Sequence, residues 1–373
     1  MILYLDALFA EGRDKVVRRS HEIPDTLSKL YVLAMKEHTR KALFLHRVGD
    51  RWLDIPDWRL DRQVIRLGLF LRERLALQPG QRVALVAPLR WEWLVADLSV
   101  AAQGAVSVAI DPALPDGQLT EALAAAKPVI AFVSDTATLD RLQRPGDEGH
   151  RPHDLIVFDG PVSRDRAMLL TEVLDLGGTL DTAERANAFR AMARVLSPDA
   201  PALVHAHRGA DGSLRWDSLT QGDVMDRLKR FWAQHPADAG HLAYVAGPEV
   251  TLPARLALHA LMGDGCTTVA LGTPGCEPQE ISELRPHGIV APPAVLARTT
   301  SFDPTPREPE MARRSWTAWA GEFGAAVRGV WRPRSRSTDP PRDPARWVGS
   351  TAPLAPEVAA RLGNVVAIAM DGH

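Results

Sequence analysis

Between Ala202 and Trp216 the chain reads ALVHAHRGADGSLRW, a stretch that gathers many of the side chains able to do chemistry. Gly209 and Gly212, Ser213, and the cations Arg208 and Arg215 are residue types that can grip an anion. Glycine lets the backbone come close, and arginine supplies forked donors. Asp211 works against that use, because its carboxylate repels a phosphate. His205 and His207 lie two apart on a predicted strand, so both imidazoles face one side of the sheet, as two metal ligands would. No third ligand follows nearby. His235, His241 or His259 would have to approach through the fold; otherwise the pair only lines the loop. Cys266 and Cys276 flank a strand and a Gly-Thr-Pro-Gly turn without a neighbouring base, and two thiols make neither a disulfide framework nor a thiolate metal site. No Gly-x-Ser-x-Gly elbow is present, so a hydrolase reading fails. His150-Arg151-Pro152-His153 reads as an exposed loop.

The elements around this stretch alternate. Thr26 caps a helix through Leu27–Ala34, and Ala42–His46 and Arg51–Leu53 read as two short strands about a Gly49-Asp50 turn. Leu60, Val64, Leu67, Leu71 and Leu75 set the apolar stripe of an amphipathic helix. Strands are expected at Arg82–Ala87, Val106–Ile110, Val129–Val133 and Asp154–Phe158, with helices at Trp91–Gln103 (ended by Gly104) and Leu119–Ala126. Trp91 and Trp93 anchor the first of these helices to the sheet. Near-continuous apolar strands separated by helices are the mark of parallel βαβ units. The second half repeats the alternation. Helix Thr182–Val195 leads to strand Ala202–Ala206, helix Asp217–Gln234 (Thr220 its cap) and strand Leu242–Ala246. Helix Pro253–Met262, strand Cys266–Leu271, helix Glu277–Arg285 and strand Gly288–Ala291 follow.

The chain has 373 residues, 46% of them hydrophobic and 24% charged, enough for two large α/β units and a sizeable core. The division expected is 1–200 and 201–373, with flexible segments at 299–310 and 332–346. A helix from Met311 to about Val330 carries Trp316, Trp319 and Phe323 on one face. A strand edge at Trp347-Val348, a helix at Glu357–Leu362 and a strand at Val365–Met370 complete the reading. With 44 basic against 46 acidic residues, no global field draws in nucleic acid. The apolar N-terminus lacks the order of a signal peptide. Val83–Ile110, broken by Pro88, Arg90, Glu92, Asp97 and Gln103, reads as buried core and not as a membrane span. A cytoplasmic location is the expectation.

Several phrases, taken in order, resemble the adenylate-forming (AMP-binding) superfamily, specifically the N-terminal domain of long-chain acyl-CoA synthetases. They are Gln78-Pro79-Gly80-Gln81-Arg82-Val83-Ala84-Leu85, then Arg90-Trp91-Glu92-Trp93 with Ala96-Asp97, then Gly104-Ala105-Val106 and Asp111-Pro112-Ala113-Leu114-Pro115. Leu284-Arg285-Pro286 through Pro293 and Ser350-Thr351-Ala352-Pro353-Leu354-Ala355-Pro356-Glu357-Val358 continue the series.

The resemblance implies an α/β fold of two similar βαβ-type layers. It also implies that the last part of that domain and the family's mobile C-terminal domain are lacking. The family's glycine- and hydroxyl-rich ATP loop falls on 204–216, where the hydroxyls reduce to Ser213, Asp211 intrudes, and Arg215 stands near the family's lysine. The adenine and magnesium segment falls on Ala369-Met370-Asp371-Gly372-His373, without a threonine–glutamate pair. The expected function is therefore a catalytically inactive acyl-CoA synthetase-like protein with a binding, regulatory or scaffold role toward a protein partner or as a homo-oligomer. No catalytic, cofactor-binding or metal residue is assigned, and a fatty-acyl ligand stays open. The alternative is a subunit of a split acyl-adenylating enzyme that needs a second chain, and only there would ATP and magnesium be cofactors.

Overall fold

The computed structural model describes residues 23–298, apart from 38–39, 144–149, 163–166, 210, 235–240, 247–250, 266 and 274, together with residues 347–350. The segments 299–310 and 332–346, the helix bearing Trp316, Trp319 and Phe323, the elements after Glu357, Asp371-Gly372-His373, and Cys266 and His235 lie outside the described residues.

The chain opens with α1 (Leu27–Glu37), whose first turn is held by Lys29 N–H donating to Thr26 Oγ1 at 3.1 Å, the cap expected from the sequence. β1 (Phe44–Val48) and β2 (Arg51–Ile55) form an antiparallel hairpin. In α2 (Asp57–Glu73) the stripe Leu60, Val64, Leu67 and Leu71 is buried. β3 (Arg82–Val86), α3 (Trp91–Ala101), β4 (Val106–Ile110), α4 (Asp116–Ala126), β5 (Ile130–Asp135), α5 (Thr136–Leu142) and β6 (Asp154–Asp159) follow. Gly104 ends α3 in the left-handed region, at φ +72, where a side chain would also crowd Leu196. Trp91 and Trp93 are both buried at the start of α3.

The chain then forms β7 (Ala167–Leu169), α6 (Leu170–Leu180), α7 (Ala183–Arg194), β8 (Pro201–Arg208), β9 (Leu214–Thr220) and α8 (Gln221–Gln234). Beyond these come β10 (Leu242–Val245), α9 (Leu252–Gly263), β11 (Thr268–Leu271), α10 (Glu277–Leu284), β12 (Gly288–Ala291), α11 (Pro293–Arg298) and β13 (Trp347–Ser350). Here the structure corrects the sequence reading. The segment starting at Asp217 is strand as far as Thr220, and only then does helix begin. Pairing with β8 overrides the helical pattern, and Thr220 remains the cap, its Oγ1 accepting from Asp223 N–H at 3.1 Å. The elements α5, β7, α6 and α11 were not foreseen. α5, β7 and α11 are short, seven residues or fewer, whereas α6 does carry a helical apolar stripe, Leu170, Val173, Leu174 and Leu180, that the sequence reading passed over.

Two sheets result. The seven-stranded sheet runs β7-β6-β5-β3-β4-β8-β9, parallel except for β9. The six-stranded sheet runs β13-β12-β10-β11-β1-β2, parallel except for β2. Sheet membership does not follow residue 200: β1 and β2 join the second sheet beside β11, while β8 and β9 close the first. Helices α1, α2, α3, α6, α7, α8 and α9 share one core with the facing sides of both sheets. Helices α4 and α5 cover the outer face of the first sheet, and α10 and α11 that of the second. Burial on both faces explains why the strands read as continuous apolar runs. Packing is close where helices cross: a side chain at Gly177 would meet the Arg66 carbonyl at 2.3 Å, so α6 can lie on α2 only with glycine there.

Candidate functional site

The hairpin that joins β8 to β9 is the residue cluster singled out by the sequence, and its loop closes on itself. Gly209 N–H donates to Ser213 O at 2.8 Å and Gly212 N–H to Gly209 O at 2.9 Å. Asp211 accepts three further bonds, none of them from Arg208, whose guanidinium lies beside Gly212. Asp211 Oδ1 accepts from Ser213 Oγ at 2.6 Å and from Ser213 N–H at 3.0 Å, and its Oδ2 accepts from Arg215 Nη2 at 2.8 Å. These bonds, led by the Ser213 hydroxyl, hold the Asp211 carboxyl below the usual carboxylate range. Gln118 Nε2 donates to Gly212 O at 3.0 Å and ties the loop to α4. Arg215, an anion-gripping candidate, is thus engaged by a carboxylate of its own loop.

The two histidines behind the loop part company in environment. His205 is buried and His207 is partly exposed, with ring centroids 5.7 Å apart and planes inclined by 22°. His207 Nδ1 stands 3.4 Å from Asp217 Oδ2, an ion-pair distance without hydrogen-bond geometry. His205 Nδ1 has no hydrogen-bond partner within the described residues. Burial, then Arg255 and then His207, push its pKa down to about 3, so the ring is neutral at ordinary pH. Two of the three proposed third ligands, His241 and His259, are engaged with other side chains. His241 stacks on His287, with centroids 4.8 Å apart, and His259 bonds to Asp97. Among the described residues no three histidine, cysteine, aspartate or glutamate side chains are placed to hold a metal ion.

Against His205 lies a cluster the sequence reading did not assemble. Arg255 on α9 donates to Asp97 on α3 through both Nε (3.1 Å) and Nη2 (2.5 Å). Its remaining donors reach Val204 O at 2.9 Å, Ser107 O at 3.1 Å and Ser107 Oγ at 2.9 Å. The guanidinium also lies 5.2 Å from the centroid of the Trp93 ring. His259 Nε2 meets Asp97 Oδ2 at 2.9 Å. Asp97, Arg255 and His259 are all 0% exposed. Burial alone would raise the Asp97 carboxyl, but Arg255 and His259 outweigh it and hold it well below the usual carboxylate range. A signal for this cluster was present in the sequence: one aspartate in the apolar run WEWLVADLSVA and one arginine in LPARLALHALMG. A charge on a buried helix face must find its opposite.

His150-Arg151-Pro152-His153 is a loop, as expected, but His150 is half-buried in it and its Nε2 meets Pro128 O at 2.8 Å. Cys276 is exposed and free at the start of α10. Among the described residues no helix is long and apolar enough to cross a membrane.

The family model described as AMP-binding enzyme matches residues 58–205. A long-chain-fatty-acid–CoA ligase, FadD15, of Mycobacterium bovis is 28% identical over 206 residues, which are 54% of this chain and 32% of that protein. The fold superposes on the long-chain-fatty-acid–CoA ligase FadD1 of Archaeoglobus fulgidus with a TM-score of 0.66 at 13% identity, covering 94% of this chain and 63% of that one. It also matches the N-terminal domain of FACL13 of Mycobacterium tuberculosis, with a TM-score of 0.61 at 16% identity over 90% of this chain and 72% of that one. The match thus spans about a third of the M. bovis ligase and less than two thirds of the A. fulgidus one. The architecture is that of the adenylate-forming N-terminal domain, and the chain is a homologue of the acyl-CoA synthetases of the AMP-binding superfamily.

Proposed function

We propose that this chain is a non-adenylating homologue of acyl-CoA synthetases that acts by engaging a protein partner and not by activating a carboxylic acid. One observation carries the reading: Asp211 takes the Ser213 N–H, the Ser213 hydroxyl and the Arg215 guanidinium, donors that a triphosphate would need. A phosphate loop works by aiming unspent N–H groups, hydroxyls and cations at anionic oxygens. Here the N–H groups of Gly209, Gly212 and Ser213, the Ser213 hydroxyl and the Arg215 guanidinium all point to acceptors within the loop. A nucleotide would have to displace a carboxylate and then sit beside it. These residues do not fit ATP and magnesium, and no catalytic step is derived through them. The described helices and sheets, by contrast, share well-buried apolar cores, which supports a scaffold that keeps its shape for a binding role.

Isothermal titration of the full chain with Mg²⁺–ATP, and with a non-hydrolysable acyl-adenylate analogue, tests the reading. The expected result is no heat and no thermal shift at about 1 mM ligand, a concentration that would reveal even millimolar affinity. Micromolar binding, about −8 kcal/mol, would overturn it and leave the split-enzyme reading in its place.

A further inference from the structure

We infer that this chain forms a two-fold dimer by antiparallel pairing of β9 with β9 of a second copy. This goes beyond the proposed function. A second copy can dock on β9 whether or not the hairpin takes a nucleotide, so the two ideas fail separately.

Gly209 N–H donates to Ser213 O, and Gln221 N–H donates to Ala200 O. Backbone groups alternate along a strand, so Ser213, Arg215, Asp217, Leu219 and Gln221 turn theirs toward β8. Leu214, Trp216 and Ser218 then turn their N–H and C=O groups away from it, at an edge of the sheet where no further strand pairs among the described residues. The opposite edge, β7, is only three residues long, whereas β9 has seven and contains no proline. Long edges without such guards invite a further strand.

Charge selects the occupant and the register. Arg215 and Asp217 lie on one face of β9, while Leu214 and Trp216 pack against the outer core on the other. In a dimer centred on Trp216, outward groups meet outward groups: Leu214 faces Ser218 of the second copy, and Trp216 faces its counterpart. Arg215 then stands opposite Asp217 of the second copy, twice by symmetry, in the non-hydrogen-bonded sites where side chains come closest. A slip to either adjacent allowed register sets Arg215 against Arg215, or Asp217 against Asp217. The strand is therefore complementary to itself in the register centred on Trp216 and repelled in its neighbours. The present partners of these side chains are easily given up, since Arg215–Asp211 is an exposed pair and Asp217 only approaches His207.

Sedimentation velocity on the full chain up to about 100 µM, with circular dichroism to confirm folding, decides the matter. The expected result is a dimer whose Kd rises at least about tenfold on Arg215→Asp or Asp217→Arg, and returns toward the original value in the double reversal. Ser218→Pro, which deletes an outward donor and leaves the β8 ladder intact, gives a folded monomer. A monomer at every concentration, a dimer indifferent to the single reversals, or a double reversal that fails to rescue would each overturn the inference.

Discussion

The Asp211–Arg215 pair at the tip of the β8–β9 hairpin closes at 2.8 Å with both side chains more than half exposed. The Asp97–Arg255 pair closes at 2.5 Å with both side chains 0% exposed. The residue types are the same, and the physics differs. At the hairpin, water solvates either partner once the bond opens, so the pair costs little to make and little to break. Between α3 and α9 there is no water to take over. The guanidinium spends its donors on Asp97, Ser107 and Val204 because any donor left over would be a buried orphan. The exposed pair therefore bears on what the proposed function asks of the loop and little on the fold. The buried pair secures α9, a helix leading between strands of the second sheet, to β4 and β8 of the first.

The comparison can be broken most sharply by Asp97→Ala. It strands a buried guanidinium and is expected to cost about 3–5 kcal/mol, read as a lower urea midpoint. The double replacement Asp97→Leu with Arg255→Met should recover most of that loss, because it removes both charges together. A single variant as stable as the parent would show that the buried pair is dispensable.

Acidity gives the next effect. His205 has a folded pKa of about 3, below its unfolded value of about 6.5. The unfolded chain therefore binds the extra proton, and the stability that neutral His205 contributes is complete above pH 6.5 and is lost as pH falls toward 3. The slope from this one group is at most about 1.4 kcal/mol per pH unit. His205→Leu should flatten the stability profile as pH falls from 6.5 to about 5, above the ordinary carboxylate range. An unchanged slope would place the acid sensitivity elsewhere. Asp97, whose carboxyl is held low, contributes in the same direction only at more acid pH, as it becomes protonated.

An intermediate case is the reciprocal cap at the base of the hairpin, where Thr220 and Asp223 each accept from the other's N–H. Thr220→Ala is expected to cost about 1 kcal/mol, measurable as a small drop in urea midpoint. Smallest of all, Asp211→Ala should leave the midpoint within the scatter of the parent in both low and high salt. A salt-dependent loss there would mean that the exposed pair supports the hairpin after all.

Local pattern in the sequence determined a good deal. The apolar stripe from Leu60 to Leu71, the continuous strands Arg82–Val86 and Val106–Ile110, the caps Thr26 and Thr220, and the stop at Gly104 each follow from residues within a few positions of one another. Such features are legible because helix period, capping and left-handed turns are short-range physics. Asp211's place among the candidate anion-binding residues of the 204–216 loop was legible for the same reason: it lies within four residues of Gly209, Gly212, Ser213 and Arg215. The tertiary structure alone decided what depends on distant partners. It made Leu214–Thr220 a strand by pairing it with β8, and it placed β1 and β2 in the second sheet beside β11. It also joined Asp97 to an arginine 158 residues away. An aspartate on the buried face of an apolar helix must be neutralised, but which cation does so is fixed only when two helices pack and bury the pair between them.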